Sequence, residues 1–299
     1  RKKFRFLIDK ENHLKSMINL YLLEIKDGHY IEALKIINLL LEKDSLQVNA
    51  LRDKAYIFYK IQKIEESLNI CAGILKNNHA DFLTINLVGL CYFSKKNYKE
   101  AENTFLEGLK INQNSASLLD SLGRLYHEWK KPNKAEKVFL KALLIAPNSY
   151  VTLNNIAGLY LEEGFYKKAI TYYTKAKDIY PKNSIILMNI AKAYLNLDNL
   201  ELAENFCSEA LNFNSSNDDI KKTYSLVLLR KQEYQKAWNF FDGRLELKDF
   251  SRKNSSLNKV KTKLLVNSKI SKDSKILILR EQGIGDEILY GTMYDDLLK

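Results

Sequence analysis

The chain has 299 residues, of which 46% are hydrophobic and 28% charged, a composition that excludes global disorder and the collagen-like and membrane classes. Only three Pro and eleven Gly occur, which argues against many short strands and favours long helices. The net charge is +11, but residues 1–5 and 252–275 hold most of it, and residues 6–251 carry only +3. The main body therefore offers no basic stripe to a nucleic acid, no nucleic-acid partner is expected, and an AT-rich genome is the better explanation of the abundant Lys.

Residues 1–13 form a basic N-terminal segment or a partial helix. Because Arg1 is not preceded by Met and no leader pattern follows it, we expect a fragment or a trimmed chain. No apolar run reaches the roughly 18 to 20 residues that a membrane-spanning helix needs, so no membrane span is predicted. The three Cys are widely spaced, which predicts neither disulfides nor a zinc site and fits a cytoplasmic location.

A period of 34 residues runs through residues 14–251. The residue at position 20 of the period is small in all seven copies, namely Ala33, Ser67, Ala101, Ala135, Ala169, Ala203 and Ala237. Positions 4, 7, 8 and 11 trace one helical face, and positions 20, 24 and 27 trace another. Small residues at positions 8 and 20 let two helices approach, and aromatic residues at positions 11 and 24 fill the space beside them. The period thus predicts one helix pair per repeat.

Turn residues separate the predicted helices at Gly28, Gly164 and Asp198, while Pro147 and Pro181 precede residues that can cap the next helix. This pattern resembles the tetratricopeptide repeat. The resemblance implies an all-α solenoid of helix–turn–helix units in a right-handed superhelix. Its seven repeats, numbered here 1 to 7, would be residues 14–47, 48–81, 82–115, 116–149, 150–183, 184–217 and 218–251.

The same resemblance implies a concave groove lined by the first helices of the repeats. The candidate groove residues are Asn86, Arg124, Asn154, Asn155, Asn189 and Lys192. Asn154, Asn155 and Asn189 resemble the asparagines that bind a peptide backbone in the O-linked N-acetylglucosamine transferases, where the side-chain amide both donates and accepts hydrogen bonds. A protein or an extended peptide is therefore the expected partner, with no cofactor or metal. Alternatively, these amides are solvated or capping groups.

A Lys-, Ser- and Asn-rich linker is predicted at residues 252–274, followed by the start of an α/β domain at 275–299. Residues 275–280 have a buried-strand pattern, Gly283 and Gly285 form a loop, and a helix would begin near Asp286. A dinucleotide fingerprint would need a third Gly where Ile288 stands, and the Lys-Ser or Lys-Thr of a Walker loop is absent.

The string ILILREQGIGDEILYGTMYDDL resembles the first strand, loop and helix of the heptosyltransferase-like glycosyltransferases of family 9. Similar segments follow tetratricopeptide arrays in bacterial proteins. The resemblance implies that Asp286 is the base for an acceptor hydroxyl, that Gly283 and Gly285 let the acceptor approach, and that the complete protein uses a nucleotide-sugar donor. Asp286 could instead be a helix N-cap, and the chain a stand-alone interaction protein without enzymatic activity. One strand and one helix cannot bury a core, so residues 275–299 alone should be inactive.

Overall fold

The computed structural model describes residues 14–43, 47–77 and 81–241, and these ranges contain fourteen α-helices and no strand. The helices are α1 (Leu14–Lys26), α2 (Tyr30–Lys43), α3 (Val48–Lys60), α4 (Ile64–Asn77), α5 (Phe82–Ser94), α6 (Tyr98–Ile111), α7 (Ala116–Glu128), α8 (Pro132–Ile145), α9 (Tyr150–Glu162), α10 (Tyr166–Ile179), α11 (Ser184–Asn196), α12 (Leu200–Phe213), α13 (Asp218–Arg230) and α14 (Tyr234–Phe241). The prediction of an all-helical repeat solenoid is confirmed for the described part of the chain.

The helices pack in chain order. Each odd-numbered helix packs against the even-numbered helix that follows it, and each even-numbered helix packs against the next odd-numbered one. From α3 to α13, consecutive odd-numbered helices also contact each other. The first helices of the repeats therefore form a layer of their own.

Position 15 ends the first helix of every repeat in a left-handed backbone conformation. Gly28 and Gly164 have φ values of 79° and 81°, and Gln62, Lys96, Lys130, Asp198 and Gln232 have φ values between 55° and 64°. In repeat 1 the Gly28 and His29 amides donate to Ile25 and Glu24 carbonyls, at 3.1 and 2.8 Å. This is the hydrogen-bond pattern of a Schellman motif, and it satisfies the last carbonyls of the helix.

Side chains at the repeat boundaries begin the first helices. Five residues spaced 34 apart accept hydrogen bonds from backbone amides of the next helix, namely Asp81, Ser115, Ser149, Asn183 and Asn217. Such caps satisfy amides that the helix leaves without a partner, and each contributes typically about 1 kcal/mol. The capping residues predicted after Pro147 and Pro181 are confirmed at Ser149 and Asn183.

The core lies between the helices of the repeats. Position 20 is 0% exposed in all seven of them, so each of these small side chains is enclosed between the paired helices. The largest cluster of buried side chains runs from Ala101 to Ile190. Within it, a Cβ on Gly89 would stand 2.4 Å from the Phe105 ring, and one on Gly123 would stand 2.5 Å from the Phe139 ring. Glycine at position 8 thus makes room for an aromatic ring at position 24.

The chain divides into two compact units, Arg1–Leu247 and Lys248–Lys299. The second unit lies outside the described residues. So do the predicted N-terminal segment, the linker, the strand at 275–280 and the loop with Gly283, Gly285 and Asp286. Among the helices described, none combines the length and the apolar character that crossing a membrane requires.

Candidate functional site: a groove on the first helices

A groove of about 400 Å³ opens on the layer of first helices. Helices α5, α7, α9 and α11 line it, together with one residue of the second helix α10. The lining residues are Phe93, Arg124, His127, Glu128, Asn154, Asn155, Gly158, Leu161, Glu162, Tyr173, Asn189 and Lys192. The wall combines amides, charges of both signs and apolar groups.

Five of the six groove candidates from the sequence line this groove, namely Arg124, Asn154, Asn155, Asn189 and Lys192. The sixth, Asn86 on α5, is not among the lining residues. Its Oδ1 is buried and has no hydrogen-bond partner in the described ranges. Asn86 therefore offers this groove no polar group.

Two asparagine amides join consecutive first helices at the groove. Asn155 Nδ2 donates to both carboxylate oxygens of Asp120, at 3.0 and 3.1 Å. One repeat further on, Asn189 Nδ2 donates to Asn154 Oδ1 at 3.3 Å. Because a carboxylate only accepts, the bonds to Asp120 fix the orientation of the Asn155 amide. The bond between Asn189 and Asn154 leaves the Asn154 amide nitrogen and the Asn189 amide oxygen without a partner among the described residues.

Asp120 lies beneath this part of the groove. Burial raises the pKa of its carboxyl group, although the hydrogen bonds from Asn155 and Thr152 and the nearby charge of Arg124 oppose that rise. The two hydrogen bonds from Asn155 occupy the carboxylate oxygens. Asp120 therefore acts as an anchor for the amide of Asn155.

Two cations occupy position 9 on opposite sides of α9. The Arg124 guanidinium lies 6.0 Å from the centre of the Phe93 ring. Burial lowers the pKa of the Lys192 ammonium; the charge of Asp219 opposes this shift and that of Lys222 adds to it. Neither cation forms an ion pair with a carboxylate in the described part of the chain.

The carboxylates of the groove lie at position 13, one turn further along the first helices. Glu162 Oε2 is 3.2 Å from both Lys130 Nζ and His127 Nε2, although the His127 contact lacks hydrogen-bond geometry. Burial favours a higher pKa for Glu162, but the Lys130 hydrogen bond and the His127 charge outweigh it and hold the pKa below its ordinary value. The groove is therefore cationic at position 9 and acidic at position 13.

Tyr173 reaches the groove floor from the second helix α10, a contact that the sequence did not predict. Its side chain is only 1% exposed, yet it lines the groove. A Cβ on Gly158 would stand 3.6 Å from the Tyr173 hydroxyl oxygen, so the absence of a side chain at Gly158 opens the floor above that oxygen. Position 24 is a packing position elsewhere, which is why the period assigned Tyr173 to the core.

The described residues contain no group of three or more His, Cys, Asp or Glu side chains that could hold a metal ion. Cys71, Cys91 and Cys207 are free thiols and are buried. The groove side chains are donors, acceptors and charges that suit the recognition of a ligand.

Sequence models of the tetratricopeptide repeat match residues 84–115, 116–149 and 160–226. Together with the helix pairs, these matches support the identification of the chain as a tetratricopeptide-repeat protein. Such repeats form scaffolds that are typical of protein–protein interaction. Comparison with curated proteins finds no match.

Several solved structures share the fold. PilW, a type IV pilus biogenesis factor, has a TM-score of 0.61 at 16% identity over 71% of this chain and 99% of its own. A tetratricopeptide repeat protein of Parabacteroides merdae has a TM-score of 0.58 at 16% identity, over 82% of this chain and 97% of its own. TTC0263, a thermophilic tetratricopeptide repeat protein of Thermus thermophilus, has a TM-score of 0.57 at 20% identity, over 61% of this chain and 100% of its own. At these identities, the likeness concerns the fold alone.

Proposed function

We propose that the groove binds an extended segment of a partner protein. The observation that carries this proposal is the amide pair of Asn154 and Asn189, which keeps an unused donor and an unused acceptor on the groove wall. An extended peptide presents backbone donors and acceptors in alternation, so one side-chain amide can pair with both. The hydrogen bonds from Asn155 to Asp120 support the same wall and limit the ordering cost of binding.

A phage-displayed library of random dodecapeptides, selected on the full chain, tests this proposal. Binding of the selected peptides should weaken on the order of tenfold in Asn154→Ala and in Asn189→Ala, the effect of losing about one hydrogen bond. Asn103→Ala, at an exposed site on the second helix α6, is the matched control and should bind normally. Failure to select any peptide, or equal binding by all three variants, would count against the groove as a peptide site.

The sequence of residues 275–299 supports a second proposal, which concerns a longer chain that carries the complete C-terminal α/β domain. We propose that such a chain couples the repeats to a glycosyltransferase, with Asp286 as the base that takes the proton of the acceptor hydroxyl. The support is the resemblance of the strand, glycine loop and Asp286 to family 9 enzymes. Asp286→Asn keeps a capping oxygen but removes the base, so turnover should fall by roughly 10² to 10⁴-fold. Near-normal turnover would instead assign Asp286 a capping role.

A further inference from the structure

Repeat 5 departs from its neighbours at the position where glycine makes room for an aromatic ring. In repeats 3 and 4 the glycine is at position 8, beneath the rings of Phe105 and Phe139. In repeat 5 position 8 is alanine and the glycine has moved to position 9, as Gly158. Position 8 faces the core, whereas position 9 lines the groove at Arg124, Gly158 and Lys192. The free space of repeat 5 therefore opens into the groove.

The aromatic residue of repeat 5 also differs, because it carries a hydroxyl. The Tyr173 side chain is only 1% exposed, and its hydroxyl has no hydrogen-bond partner among the described residues. The hydroxyl oxygen is not one of the fully buried polar atoms that lack a partner, so it reaches the groove surface and can donate to a ligand there. Burial and the charge of Glu162 raise the pKa of Tyr173, which keeps the hydroxyl protonated and able to donate.

The charge around this opening favours an anion. Arg124 on α7 and Lys192 on α11 flank Gly158 at the same position of the period, and neither is paired with a carboxylate in the described ranges. The two carboxylates of the groove, Glu128 and Glu162, lie one turn further along, and Glu162 is already shared by Lys130 and His127. Two cations and a hydroxyl donor thus line the same groove as the wall position that carries no side chain.

We propose that Gly158 opens the groove floor so that the Tyr173 hydroxyl donates to an Asp or Glu side chain of the bound peptide, with Arg124 and Lys192 on either side. This inference rests on the proposed peptide-binding function and names the residue type that the groove selects. Tyr173 is then a specificity-determining residue, because a neutral or basic side chain at this place would gain less from the hydroxyl and the cations.

Two variants separate this role from a packing role. Tyr173→Phe removes only the hydroxyl. Gly158→Ala places a methyl group 3.6 Å from the hydroxyl oxygen, an ordinary contact, and covers the opening while improving the helix propensity. Gly158→Ala should therefore raise Tm and weaken binding together. Tyr180→Phe is the matched control, since Tyr180 is 46% exposed and does not line the groove.

The probes are three pools of random nonapeptides with Asp, Asn or Lys fixed at the centre, acetylated and amidated so that no terminal charge contributes. We expect the full chain to retain the Asp pool best. Affinity for the best Asp peptide should fall on the order of tenfold in Tyr173→Phe and Gly158→Ala, but not in Tyr180→Phe. Its Asn counterpart should be affected much less by either variant.

Each other result counts against a stated part of the proposal. Equal retention of the three pools, with peptides that still depend on Asn154 and Asn189, overturns the acidic specificity and leaves the peptide groove intact. Preference for Asp without any effect of the Tyr173 and Gly158 variants assigns the selection to the cations and overturns the role of the hydroxyl. Retention of no pool overturns the peptide groove, and the inference with it.

Discussion

Repeats 3 to 5 and their neighbours, repeats 2 and 6, fill the same position of the period with side chains of different size. Position 24 is Phe105, Phe139 and Tyr173 in the central repeats but Cys71 and Cys207 in the outer ones. All five side chains are 0 to 1% exposed. The three rings belong to one continuous cluster, whereas each Cys belongs to a separate, smaller one. The two regions therefore differ in how much apolar surface each repeat buries.

The facing position compensates for this difference in size. Position 8 is Gly89 and Gly123 where position 24 is phenylalanine, and it is Ala55 and Ala191 where position 24 is cysteine. A larger side chain at position 24 is thus matched by a smaller one at position 8, as close packing requires. A substitution at either position should accordingly depend on the residue at the other.

The largest expected effect comes from removing a central ring. Phe139→Ala deletes a fully buried ring from the continuous cluster and should lower the free energy of unfolding by about 3–5 kcal/mol. Cys207→Ala, at the same position of repeat 6, removes only a thiol and should cost about 1 kcal/mol. Denaturant unfolding of the full chain measures both. Equal losses would show that the two regions are equally dependent on position 24.

Enlarging position 20 should come next. Ala135 and Ala169 are 0% exposed between paired helices, so a leucine at either site overpacks the pair and should cost about 1–3 kcal/mol. Asn154→Leu, on the groove wall, should cost much less because the groove has room for the side chain. Thermal unfolding compares the three variants. A groove substitution as damaging as the Ala135 substitution would mean that the assignment of faces is wrong.

Two glycine substitutions should act with opposite signs. An alanine at Gly123 would put a methyl group 2.5 Å from the Phe139 ring, and after the gain in helix propensity the net loss should be about 1 kcal/mol. Nothing lies within 4 Å of a Cβ at Gly73, so Gly73→Ala should gain about 0.5–1 kcal/mol. Adding Phe139→Leu to Gly123→Ala should reverse part of that clash. A double-mutant cycle measures the coupling, and a coupling of zero would contradict this matching of side-chain sizes.

The sequence predicted the helix pairs well because their packing repeats every 34 residues. The left-handed turn was predicted at Gly28, Gly164 and Asp198, where the residue type favours it. It was missed at Gln62 and Lys96, which adopt it although their side chains disfavour it. There the Schellman hydrogen bonds and the packing of the pair outweigh the local preference.

The groove was less predictable than the fold. Its cations and amides follow from the phase of the period, which places Arg124, Asn154 and Lys192 on one face of the first helices. Tyr173 does not follow, since position 24 is a core position, and repeat 5 differs from repeats 3 and 4 there only in the shift of glycine from position 8 to Gly158 and in the hydroxyl of Tyr173. The shift of glycine involves only the adjacent residues Ala157 and Gly158. It indicates an opening in the groove floor only when the position of the Tyr173 ring is known.

The smallest expected effect separates packing from surface charge in the central repeats. Glu162 joins repeats 4 and 5 through Lys130 and His127, but its side chain is 54% exposed, so the pairing should contribute less than about 1 kcal/mol. Its pKa is held below the ordinary value, so the contribution is present above the unfolded pKa of about 4.3 and is lost as the pH falls through the lower folded value. Glu162→Gln should therefore be slightly less stable than the unmodified chain at pH 7, and the difference should shrink as the pH falls below about 4.3. Glu163→Gln is the matched control, because Glu163 forms no ion pair among the described residues. A Glu162→Gln loss of several kcal/mol at pH 7 would show that charge rather than the continuous cluster holds these repeats together.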